Sequence, residues 1–161
     1  MATPNYSVNM IAQAFLNGQV FNATTGKLTS AGTVLTGFSV FNPANSGKTF
    51  FFLAAHGAVA TAAPQSQINI TAADPALANT VTPSNSLAGS ALASVASCTY
   101  VNAALTLSGT LYDIAQAGGN NNIEFLPIGN QYLICPPSSG LLIAINTATN
   151  AWFASMKWIE F

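Results

Sequence analysis

The chain has 161 residues, half of them hydrophobic, yet only 4% are charged: three lysines, four carboxylates and no arginine give a net charge of −1. With Lys27, Lys48 and Lys157 as its only lysines, no face can be strongly basic, which speaks against nucleic acid and against an anionic membrane surface as partners. An average soluble domain is about 25% charged, so Asn, Ser, Thr, Gln and Gly must hydrate this surface, and they give up water to a neighbouring subunit more readily than Lys or Glu do.

A chain of this length buries about 68–70% of its unfolded surface, enough for the single domain expected over residues 1–161. The first residues, Met1 to Asn5, carry no basic side chain, and Met10 to Phe15 is too short for the apolar region of a signal peptide. Met10, Ile11, Ala14 and Phe15 have helical spacing, which Asn17-Gly18 ends quickly. Residues 1–20 are therefore expected to form a short helix or an N-terminal strand or arm.

Period two then takes over. In 33–41, Val34, Thr36, Phe38 and Val40 share one face and Leu35, Gly37, Ser39 and Phe41 the other, which makes Phe38 and Val40 candidate core residues. Asn42-Pro43-Ala44-Asn45-Ser46-Gly47-Lys48-Thr49 ends like a phosphate-binding loop, but Asn42 stands where that loop has its first glycine, and the residues after it resemble a strand rather than a helix. A β-turn between paired strands is the better expectation. The next strand, 48–60, holds the longest strongly apolar run, Phe50 to Ala55, far short of the roughly 18 residues of a membrane-spanning helix. Phe50, Phe51 and Phe52 cannot all point inward, so they are candidate interface residues.

Further strands are expected at 66–71, 99–113, 122–128, 130–135, 140–146 and 151–160, punctuated by Gly118-Gly119-Asn120-Asn121-Asn122, Gly129-Asn130 and Pro136-Pro137-Ser138-Ser139-Gly140. Residues 72–97, rich in Ala, Ser, Asn and Pro, are expected to form a long loop with one short element around Ser86 to Val95, and such a loop is a natural contact surface. In the last strand Trp152, Ala154, Met156 and Trp158 share a face; Trp152, Met156 and Trp158 are assigned to the core, and Phe153, Ile159 and Phe161 to an interface. About eight strands with such turns define an all-β, antiparallel, jelly-roll-like sandwich.

Chemistry finds little to work with. His56 is the only histidine, no G-x-S-x-G elbow is present, and Cys98 and Cys135, each beside β-prone residues, are expected to be buried free thiols rather than metal ligands. Of the four carboxylates, Asp74 precedes Pro75 in a turn, Asp113 and Glu124 lie at strand ends, and Glu160 is beside the last residue. No catalytic residue, cofactor or metal is expected.

Three segments carry a family likeness: the stretch Gly37 to Lys48, the Pro136-Pro137-Ser138-Ser139-Gly140 turn into an apolar strand, and the ending Ser155-Met156-Lys157-Trp158-Ile159-Glu160-Phe161. Together they resemble small virion structural proteins of tailed bacteriophages, over roughly residues 15–161, with Asn45 at a turn position where glycine is expected. The resemblance implies a β-sandwich made in a host cytoplasm and exposed on the outside of a particle, usually as a symmetric homo-oligomer. Its partners would be copies of itself and other virion proteins such as the major capsid protein. Capsid decoration is the first expectation; a tail or fibre module that binds a receptor or carbohydrate, with Tyr100, Tyr112 and Tyr132 as candidate aromatics, and a subunit of a bacterial surface filament are the alternatives.

Overall fold

The computed structural model describes residues 6–30, 33–60, 65–116, 122–126, 132–148 and 151–161. One helix and thirteen strands are found among them: α1 (Tyr6–Leu16), β1 (Val20–Thr24), β2 (Leu28–Thr29), β3 (Thr33–Asn42), β4 (Phe50–Val59), β5 (Gln65–Thr71), β6 (Asn79–Thr80), β7 (Ser84–Asn85), β8 (Ser97–Val101), β9 (Thr110–Gln116), β10 (Asn122–Leu126), β11 (Leu133–Cys135), β12 (Ser139–Ala148) and β13 (Ala151–Glu160). They form two antiparallel sheets.

Eight strands make the frame. The first sheet runs β10-β4-β13-β1 and the second β3-β12-β5-β9. The pairs are nested, since β1 pairs with β13, β3 with β12, β4 with β10 and β5 with β9. A long hairpin rolled onto itself produces this order, which is the jelly roll. The short strands are additions: β7 extends the first sheet beyond β1, β8 and β6 extend the second beyond β3, and β2 and β11 pair with β13 and β4.

The core fills the space between the sheets. Phe21, Phe50, Phe52, Trp152, Met156 and Trp158 enter from the first sheet, and Phe38, Val40, Ile68, Leu141, Ile143 and Ile145 from the second. Trp158 is fully buried, its ring centre 6.1 Å from Phe50 and 6.3 Å from both Phe52 and Phe21. Both indole N–H groups are satisfied, Trp158 Nε1 donating to Glu160 Oε1 at 2.9 Å and Trp152 Nε1 to Asn102 Oδ1 at 2.7 Å. Gly57 packs closely under Ile145: a Cβ there would lie 2.8 Å from Ile145 Cδ1, which would have to shift.

Strand β4 is broken by a bulge just after the Phe50-Phe51-Phe52 run, which itself alternates with Phe51 outward. Trp158 faces Phe52, but Lys157 faces Ala54, so β4 carries one extra residue, Leu53. Below it Phe50 and Phe52 point inward, and above it Ala55 and Val59 do. The extra residue reverses which parity meets the core.

Four expectations change. Residues 43–49 do not join paired strands, because β3 lies in the second sheet and β4 in the first. The segment is a corner pinned by Asn42, whose Nδ2 donates to Lys48 O at 2.8 Å and Cys135 O at 3.1 Å. The strand expected at 99–113 is two strands, because β8 sits beside β3 and β9 beside β5, and one strand cannot occupy two edges; between them Leu105 N donates to Leu35 O at 2.7 Å. Residues 20–24, of which only Val20 fell within the expected 1–20 segment, form a frame strand, while 6–16 take the helical option. Within 72–97 the short elements are β6, β7 and the start of β8, and no helix or strand forms over the expected 86–95. Expected strand residues 127, 128, 130 and 131 lie outside the described set.

The helix stops where the sequence placed its end. Gly18 has φ +67, its N–H bonds to Phe15 O at 3.1 Å, and Gln19 N–H bonds to Ala14 O at 2.9 Å. This is the glycine-terminated Schellman ending. The aromatic cluster yields a test: Trp158→Ala should lower stability by about 3–5 kcal/mol in denaturant unfolding, the range for a buried aromatic. An unchanged midpoint would contradict the packing described here.

Candidate interaction surface

The outward face of the first sheet carries an apolar row. Val20 lies beside Ile159, Ile159 beside Phe51, and Phe51 beside Ile134, so the row crosses β1, β13, β4 and β11. Helix α1 covers one end of it. Ile11, Ala14 and Phe15 pack with Val20, Ile159, Phe51 and Leu53 as a second apolar cluster outside the sandwich core.

The cover is incomplete. Beyond the helix lies a groove of about 170 Å³ lined by Met10, Ile11, Phe51, Leu53, Tyr132, Ile159 and Phe161. Phe161 stands edge-on to Phe51, with ring centres 5.1 Å apart, and is held there by backbone bonds to Thr49 of 2.9 and 3.1 Å. Met10 at 48% exposure and Tyr132 at 42% remain open to water there, as does Ile134, beside Phe51 in the row, at 53%.

The sequence-derived interface set therefore divides. Phe50 and Phe52 are core residues, not interface residues, because their parity in β4 points them at the second sheet. Ile159 is also buried, covered by the chain's own helix. Phe51 is half-buried at the groove and Phe161 is exposed on its rim. Phe153 is exposed too, but it lies farther along β13 opposite Ala58, in a separate shallow depression beside Lys27. Of the candidate core residues, Phe38, Val40, Trp152, Met156 and Trp158 are all buried. Met10 and Ile134 were not anticipated as surface residues, and Tyr132 was expected only as a candidate aromatic of a receptor- or carbohydrate-binding module; the signal available for Ile134 was its alternation with inward Leu133 and Cys135.

The middle of this face carries His56, Glu124 and Lys157. His56 Nδ1 lies 3.6 Å from Glu124 Oε1 across β4 and β10, and both side chains are substantially exposed, so the pair contributes little to stability. Lys157 Nζ sits 5.8 Å from the centre of the Phe15 ring, a cation–π contact that helps seat α1.

The remaining chemical groups do not converge. Asp74 Oδ1 accepts from Ala76 N at 2.9 Å, as a turn residue does. Glu160 is buried and accepts from Trp158 Nε1, Ser94 Oγ and Val95 N. Among the described residues no group of three or more His, Cys, Asp or Glu side chains comes together. Tyr100 and Tyr112 pack against the core while Tyr132 lies at the groove, so the three tyrosines are not one binding patch.

Cys98 and Cys135 are free and buried. Burial, reinforced by the charges of Glu160 and Asp74, pushes the Cys98 thiol up to about 12, and burial pushes Cys135 up to about 11. Thiolates released on unfolding have a lower pKa, near 9.0, so the two thiols stabilise the fold fully below about pH 9, and that contribution is lost as pH rises toward the folded values. Both should resist a thiol reagent at pH 8 until denaturant is added, and urea midpoints should fall above pH 9. Replacing both cysteines by alanine should flatten that alkaline decline. No protein family, curated protein or solved structure matches this chain.

Proposed function

We propose that the protein is a virion structural subunit, a capsid decoration protein that sits on the particle exterior and works by packing against the shell and against copies of itself. The observation that carries this reading is the partly covered apolar row on the first sheet. A groove lined in part by Met10, Tyr132 and Phe161, with exposed Ile134 beside Phe51 in the same row, lies on a molecule with only seven Lys, Asp and Glu side chains to keep it apart from neighbours. The frame supports the reading by analogy, since jelly rolls recur in viral capsid proteins, and they recur in lectins as well. All eight frame strands come from one chain, so the sandwich needs no strand donated by a filament neighbour.

Attachment through such a surface gains from apolar burial, at about 25 cal/mol per Å² before the costs of ordering. Screening weakens only charge pairs. The test is to incubate native particles across a sodium chloride and sulfate series, pellet them and measure the bound chain. Retention should be unchanged or tighter in sulfate and weaker in urea. Release by about 0.5 M sodium chloride, where the screening length is only a few Å, would show that ion pairs hold it and would overturn the reading.

The groove can be tested separately. Ile134→Glu leaves the core intact, so the unfolding midpoint should shift by no more than about 0.5 kcal/mol. Binding to stripped particles should weaken at least about tenfold, the effect of desolvating an unpaired charge.

A further inference from the structure

Strand β1 is an edge that its own sequence does not protect. Natural edge strands are usually guarded by Lys, Pro or a bulge, and Val20-Phe21-Asn22-Ala23-Thr24 has neither Lys nor Pro. Its inner side pairs with β13 without a register shift. Its outer side is covered by a piece of chain too short to be a real strand. Asn85 Nδ2 donates to Gly18 O at 2.7 Å, Ser86 N to Val20 O at 2.8 Å, and Ser84 Oγ to Asn22 O at 3.2 Å. Three alternate carbonyls are thus covered by Ser84-Asn85-Ser86, alongside a two-residue ladder that pairs Phe21 with Asn85 and Asn22 with Ser84, and the Gly18 carbonyl is met by a side chain that imitates a backbone donor.

The rest of this segment is built to come away. Residues 86–93 are exposed except for Ser90, which is half-buried, and their order rests on local bonds of the Asn85 and Ser90 side chains. Beneath them lies a cavity of about 80 Å³ between Phe21, Lys48, Leu92 and Val95. What closes the segment is one buried carboxylate. Glu160 takes the Ser94 hydroxyl on Oε1 and Val95 N–H on Oε2 at 3.2 Å, while its own backbone N–H bonds to Gln19 O at 3.0 Å. On the far side Val81 N–H is tied to β8 through Cys98 O at 2.9 Å.

We infer that residues 84–95 are a releasable guard latched by Glu160, and that opening it lets β1 pair antiparallel with β1 of a second copy about a two-fold axis. The freed carbonyls of Gly18, Val20 and Asn22 and the N–H groups of Val20 and Asn22 form a self-complementary edge, so two opened chains satisfy each other and merge their first sheets. This inference stands apart from the virion reading, since it concerns two copies of this chain in solution and would survive the failure of the particle-binding test.

The experiment is hydrogen exchange read by mass spectrometry, with light scattering across a micromolar to millimolar series, on wild type, Glu160→Ala, Glu160→Gln and Ser94→Ala. In Glu160→Ala and Ser94→Ala, amides of 84–95 should exchange at least about tenfold faster while β3, β4 and β12 keep wild-type rates, the signature of a sub-global opening. Glu160→Gln, which keeps an acceptor oxygen, should fall between them and wild type. The mass of both opened variants should double relative to wild type at high concentration. Adding Asn22→Pro, whose lost N–H shares the outward side of β1 with its carbonyl, should abolish the doubling. Wild-type protection of 84–95 in both variants would overturn the latch, as would a uniform rise through β3, β4 and β12. A released segment without any increase in mass would overturn the β1 pairing.

Discussion

The structure depends on one constraint, the nesting of its strand pairs. Because β1 pairs with β13, β3 with β12, β4 with β10 and β5 with β9, every frame pair joins the earlier part of the chain to the later part. The two sheets can therefore be filled only when both parts are present, and the aromatic cluster forms where they meet. Phe21 and Phe50 come from one part and Trp158 from the other. The same nesting places residues 72–109 at the tip of the rolled hairpin, from which they return along both the β1 and β3 edges and close that side of the sandwich.

Much of this was legible in the sequence because alternation records a buried face. The strands β3, β4, β5, β12 and β13 and the inward sides of β3 and β13 could be read directly, since one side of each meets a core that must be apolar. Strand β1 could not, as Val20 is buried under α1 while Phe21 and Ala23 enter the core, so neither face is clearly polar. The merging of β8 with β9 in the sequence reading has a different cause. Residues 102–109 are apolar enough to look like strand, and only the need to reach the opposite edge of the sheet breaks them. The surface was legible in part. Three successive phenylalanines required one aromatic outside the core, and that one is Phe51. Its neighbours Met10, Tyr132 and Ile134 come from stretches that only the fold brings together.

Low charge and incomplete apolar cover act together on this molecule. A groove of the same shape on a domain of ordinary charge would be flanked by lysines and glutamates that resist desolvation. Here the flanking band consists of His56, Glu124, Lys157 and neutral polar groups. The interior shows the opposite economy: Glu160, the one carboxylate that is fully withdrawn from water, has three donors and holds an exposed segment to the frame.

The position of β13 has a consequence for how the protein is made. This strand lies between β1 and β4 in the first sheet, yet it is translated after both. Until it emerges, β1 and β4 each lack the neighbour that will fill their facing edges, and the core lacks both tryptophans. The β3 strand waits in the same way for β12. A nascent chain therefore cannot build this sandwich strand by strand as it leaves the ribosome. It must carry Phe21, Phe38, Phe50 and Phe52 unburied through most of its synthesis, and then close in a single late step dominated by contacts distant in sequence, which are slow to form. The yield of folded protein in a cell should thus be governed by how well the unfinished chain is kept from its neighbours during that interval.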